Sequence, residues 1–125
     1  MGDPIRVVLA DDDPAFLEAL AVALELDGRF EVVGMAGDGG EAFQLGCWQE
    51  PDVVVMDAEM PRIDGWEAAR LLSQSRPRTC VLMVSGADRE VIAHRADSIG
   101  VSAFLPKTSI DEIVDAIAAL AVKCN

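Results

Sequence analysis

Residues Asp52 to Asp57 read DVVVMD, four apolar residues in a row, three of them β-branched, closed by an aspartate. A short run that is apolar without alternation suits a strand covered on both faces, as in a parallel sheet flanked by helices. Similar runs stand on either side: IRVVLA (Ile5 to Ala10), FEVVGMA (Phe30 to Ala36), CVLMVS (Cys80 to Ser85) and VSAFL (Val101 to Leu105). Together they predict five strands.

The segments between these runs carry helix start and stop chemistry. Asp13 followed by Pro14 is a cap and first-turn pair for a helix to about Leu26, with Gly28 beyond its end and Phe16, Leu17, Leu20 and Leu24 on one face. Asp38 with Glu41, Asp64 with Glu67, and Ser109 with Glu112 each set a capping oxygen three residues before a glutamate, the spacing of a reciprocal cap. Ile110, Ile113, Val114, Ile117 and Ala121 form a helical stripe, and Ile92, Ala96 and Ile99 before Gly100 predict a further helix over 88–99. Five strands alternating with five helices imply an α/β doubly wound sheet, flavodoxin-like, in strand order 2-1-3-4-5.

At 125 residues the chain is long enough for one domain with one core, expected to span 1–125. Acidic residues outnumber basic ones 22 to 10, for a formal charge of -12, which opposes direct binding to nucleic acid or anionic lipid. No apolar run is long enough to span a bilayer, and the first residues lack the basic flank of a secretion signal, so a cytoplasmic, soluble chain is expected. Cys47, Cys80 and Cys124 are odd in number and lack close metal-type spacing. They read as small apolar residues in a reduced interior.

In an open parallel sheet, ligands bind where the strands' carboxyl ends meet the helices' amino ends. On that rim the sequence places Asp11 and Asp12 after the first strand, Asp57 at the end of the third, Ser85 at the end of the fourth, and Lys107 just past Phe104. Like-charged carboxylates about 5 Å apart cost roughly 3 kcal/mol per pair at an effective dielectric of 20, so a cation is expected among them. Oxygen-only ligands with room for water describe Mg2+ (or Mn2+). A carboxylate beside such an ion can attack phosphorus to give an acyl phosphate, with Lys107 and Ser85 contacting phosphoryl oxygens.

With these residues in place, the chain resembles the receiver domain of bacterial two-component response regulators from its first strand to its last helix. The resemblance rests on ADDDP (Ala10 to Pro14), MDAEMPRIDG (Met56 to Gly65), VSGAD around Ser85, and FLPK (Phe104 to Lys107). It implies that Asp57 is the phosphoacceptor for a sensor histidine kinase. It further implies that Asp12, Asp57 and the Glu59 backbone carbonyl bind magnesium, with Asp11 acting through water, and that Met60 and Pro61 form the turn that follows. Ser85 would move toward the phosphoryl group while Phe104 changes rotamer, remodelling an output face on the last strand and the last two helices. Phenylalanine at 104, where tyrosine is frequent, leaves no phenol for a switch hydrogen bond. The DDDP run and Thr108 after Lys107 are more similar to receivers of LuxR-type transcription regulators, whose helix-turn-helix domain is not among these 125 residues. A second copy or such an output domain is the further expected partner.

Other readings exist for the same residues. Asp13 reads as a helix cap rather than a ligand, His94 as a surface residue, and Trp48 and Trp66 as packing or partly exposed residues. Ser85 could serve only a turn and Phe104 only the core. Rival functions are a metal-dependent aspartyl-phosphate phosphatase using Asp57 and Glu59, a flavin mononucleotide binder, and an interaction module that is never phosphorylated. The first lacks a cap domain, the second meets three aspartates where a phosphate cradle belongs, and the third leaves the acceptor set unexplained. Glu59 and Ala87 flank the expected path of a hydrolytic water. The receiver reading makes the chain no turnover enzyme, although it catalyses its own phosphotransfer and slow dephosphorylation.

Overall fold

Val53–Asp57 forms the central strand, β3, of a five-stranded sheet, and every one of its residues is buried. In this computed structural model the described residues are 2–60, 62, 64–86, 101–107 and 109–124. β1 (Ile5–Ala10) and β4 (Cys80–Ser85) flank β3, while β2 (Phe30–Ala36) and β5 (Ala103–Pro106) form the edges. All pairings are parallel, and the order is β2-β1-β3-β4-β5, a flavodoxin-like sheet as expected. The last strand begins two residues later than its apolar run and reaches Pro106, which an edge strand tolerates because one side needs no ladder donor.

Four helices are present among the described residues: α1 (Pro14–Asp27), α2 (Gly39–Gln49), α3 (Gly65–Ser75) and α4 (Ile110–Cys124). The helix expected over 88–99 lies outside the described residues, as do Pro61, Ala87, His94 and Thr108. Alternation along the strands divides the core. Val7, Leu9, Val53, Val55 and Leu82 meet Leu20, Leu24, Ile113 and Ile117 of α1 and α4 on one face. Val8, Val54, Met56 and Met83 meet Ala42, Trp66, Ala69 and Leu72 of α2 and α3 on the other. Burying each large aliphatic side chain stabilises by about 1.5–3 kcal/mol, so this two-faced core holds the strand ends in register.

The caps form, with one arm altered in each of the first two boxes. Asp13 accepts from the Ala15 amide, and Gly28 closes α1 in the left-handed region at φ 90°. Asp38 and Asp64 accept from the amides of Glu41 and Glu67, each at 2.9 Å. The return arms go elsewhere: Glu41 accepts from Gly37, and Glu67 pairs with Arg70 one turn along. Trp48 is 84% exposed, whereas Trp66 is 7% exposed in the core.

The cysteines depart from expectation. Cys80, at the start of β4, and Cys124, in the last turn of α4, form a disulfide across 44 residues, with Cα atoms 6.3 Å apart, leaving Cys47 as a free thiol. Spacing offered no signal because the pair is joined by tertiary packing: the end of α4 lies over the start of β4. No described helix is long and apolar enough to cross a membrane.

Candidate phosphoacceptor site

β1 and β3 run side by side, with Ala10 paired to Met56, so the residues that follow in each strand emerge together at the carboxyl rim. One carboxylate oxygen from each of Asp11, Asp12 and Asp57 lies within 4.8 Å of the others. Asp11 and Asp57 are 1% and 4% exposed, while Asp12 faces solvent. The three acidic residues singled out from the sequence therefore meet.

Each buried carboxylate is held by the backbone around it. Asp11 Oδ1 accepts from the Asp13 amide at 2.8 Å, and its Oδ2 lies 2.5 Å from Lys107 Nζ. Asp57 Oδ1 accepts from the Glu59 amide at 3.1 Å, while Lys107 Nζ stands 3.6 Å from its Oδ2. The lysine is aimed by its own amide, which donates to the Ser85 carbonyl at 2.9 Å, and its ammonium lies 4.4 Å from the Phe16 ring centroid. Burial opposes the charged lysine, but the Asp11 hydrogen bond and the charges of Asp57, Asp11 and Asp13 outweigh it and raise its pKa.

Asp57 is under the opposite pressure. Burial pushes its carboxyl up to about 6, and nearby Asp11 adds to the rise, against the Glu59 amide and Lys107. One ammonium among three carboxylates leaves the pocket with surplus negative charge. Its donors are all hard oxygens, two on buried side chains and one open to water. That set fits a small divalent cation that keeps part of its water shell.

A close contact shapes the rim further. A Cβ on Gly65, the first residue of α3, would stand 1.9 Å from the Asp57 carbonyl oxygen. Only glycine lets α3 start directly against the end of β3, and its presence in the MDAEMPRIDG run was the sequence signal. Phe16 under the lysine was legible only as part of an apolar helix face. Ser85, fully buried, donates its hydroxyl to Glu59 Oε1 at 2.8 Å. Phe104 is half-buried against the α2–α3 side of the core.

Residues 7–118 match the family model of the response regulator receiver domain. The chain belongs to that family. Over 116 residues this receiver is 39% identical to the probable transcriptional regulatory protein NarL of Mycobacterium tuberculosis, covering 92% of this chain and 54% of that protein. It is 38% identical over 115 residues to the transcriptional regulatory protein PdtaR of the same species, covering 91% and 55% respectively. The receiver thus spans about half the length of these curated relatives. Its fold superposes on the signal receiver domain of the putative response regulator NarL from M. tuberculosis with a TM-score of 0.90, at 37% identity, covering 97% of this chain and 98% of that one.

Proposed function

We propose that this receiver, taken as a domain over 1–125, accepts a phosphoryl group from a sensor histidine kinase onto Asp57. The supporting observation is the convergence of Asp11, Asp12 and Asp57 within 4.8 Å, with Lys107 3.6 Å from Asp57. Asp57 is the nucleophile: its carboxylate oxygen attacks phosphorus, and the bond from phosphorus to the donor breaks. Mg2+ (or Mn2+), held by Asp12, Asp57 and the Glu59 carbonyl with Asp11 acting through water, would neutralise charge spreading over the transferring oxygens. Lys107 supplies a mobile point charge for one phosphoryl oxygen, and Ser85 a hydrogen bond for another. Asp11, already bonded to Lys107 and the Asp13 amide, keeps the ammonium at the pocket before the phosphoryl group arrives.

Ser85 and Phe104 then carry the change toward β5 and α4, the surface offered to a second copy or to an output domain beyond this chain. The receiver is a switch in a transcription-regulating phosphorelay, and its only catalysis is on itself. Its charge of -12 leaves DNA contact to another domain. It works in the cytoplasm, where reducing conditions would open the Cys80–Cys124 pair.

Acetyl phosphate with magnesium tests this reading. Intact-mass measurement is expected to show one added phosphoryl group on the wild type and none on Asp57→Asn. Equal masses for the two proteins overturn the assignment, and free phosphate released without a trapped adduct supports a turnover phosphatase instead.

A further inference from the structure

The Ser85 side chain, which the proposed chemistry uses, is tied to the Glu59 side chain, which it does not. Ser85 ends β4 fully buried, and its Oγ donates to Glu59 Oε1 at 2.8 Å. Glu59 lies two residues beyond Asp57, and its amide donates to Asp57 Oδ1, so the acceptor and the glutamate share one short loop. A serine hydroxyl carries a single proton and serves one acceptor at a time. A carboxylate is the stronger kind of acceptor, since hydrogen bonds to charged groups are about twice as strong as neutral ones.

We propose that Glu59 is a latch, a positioning residue that holds the Ser85 hydroxyl on its own carboxylate until a phosphoryl oxygen on Asp57 takes that proton. The proposal rests on the phosphoacceptor reading above and adds an energetic opponent to it. In the resting protein Ser85 is turned to Glu59. In the modified protein the same hydroxyl faces the phosphoryl group, and the exposed Glu59 side chain is released into water. The release costs little because water replaces the lost partner, so the latch sets the threshold of the switch without blocking it. Glu59 also acts by its charge alone, which repels an incoming anion whatever Ser85 does. A test therefore has to separate the hydrogen bond from the charge.

Beryllofluoride, which mimics an aspartyl phosphate without hydrolysing, is the probe, titrated by calorimetry at saturating magnesium into the 125-residue chain. Four proteins complete a cycle: wild type, Glu59→Ala, Ser85→Ala and the double variant. The latch predicts that Glu59→Ala tightens binding about three- to tenfold more when Ser85 is present than when it is alanine. Glu59→Gln, which keeps an acceptor but loses the charge, is expected to retain part of the Ser85-dependent effect. An equal Glu59→Ala effect in both backgrounds overturns the latch and leaves only charge repulsion, with the phosphoacceptor reading intact. Absence of beryllofluoride binding in all four proteins overturns that reading, and the latch with it.

Discussion

The two ends of the sheet are built on opposite principles. At the amino ends of the strands, polar groups are matched to partners: the Arg6 amide donates to Asp52 Oδ2 at 2.9 Å, the Arg76 guanidinium to the Cys47 carbonyl at 3.0 Å, and the Thr79 hydroxyl to the Pro51 carbonyl at 2.9 Å. Cys80–Cys124 adds a covalent tie at the same end. At the carboxyl ends, three carboxylates crowd together with one lysine against two of them, and one of those two is driven toward its neutral form. The fold is fastened at one rim and left electrostatically unresolved at the other, which is where a ligand can supply what is missing.

The largest expected effect is at the fastened rim. Opening Cys80–Cys124 with a phosphine reductant frees a 44-residue separation and should cost about 2–4 kcal/mol, read as a fall in Tm, while Cys124→Ser should not respond to the reductant. Equal melting with and without reductant would remove the covalent tie from the comparison.

Gly65→Ala should be next, about 1–3 kcal/mol by denaturant melts, because its Cβ would press on the Asp57 carbonyl. It should also slow labelling by acetyl phosphate, as the strand end has to shift. Asp57→Asn should move the opposite way. The folded carboxyl titrates near 6 and the unfolded one near 3.8, so the folded chain binds this proton more tightly. Stability from this group is full below the unfolded value and is lost as pH rises through the folded one. Without metal at pH 7, Asp57→Asn should therefore be more stable than wild type by about 1–2 kcal/mol, less than the full shift implies because the solvent-facing Asp12 side of the pocket lets water screen the charges. The gain should vanish below pH 4 or so, and a loss of stability at pH 7 would contradict the crowding. Smallest is Thr79→Val, about 1 kcal/mol with labelling unchanged, since its hydroxyl serves only the fastened rim.

How much of this could be read from the residues follows from the range of each interaction. DVVVMD, the Asp13–Pro14 pair and the α4 stripe are local signals, and each produced its element close to the expected bounds. The rim was legible because parallel strands deliver their last residues to one side whatever the details of packing. The Glu67 return arm was misread because Arg70, one turn ahead, offers that carboxylate a charged partner. Lys107 and Ser85 were placed on the right rim, but their present partners, Asp11 with Phe16 for one and Glu59 for the other, depend on rotamers that no spacing encodes. The disulfide was missed for the same reason on a larger scale, since 44 residues separate its two halves.

Trp66 follows Gly65 directly and is buried with Met60 in the cluster that also takes in Phe104. Its indole is buried in the same apolar cluster as Met60 of the acceptor loop, so its emission should respond to changes in that core without any attached dye. Trp48, 84% exposed, contributes a red-shifted background that Trp48→Phe would remove. The chain thus carries its own optical probe for following phosphoryl transfer in stopped-flow time.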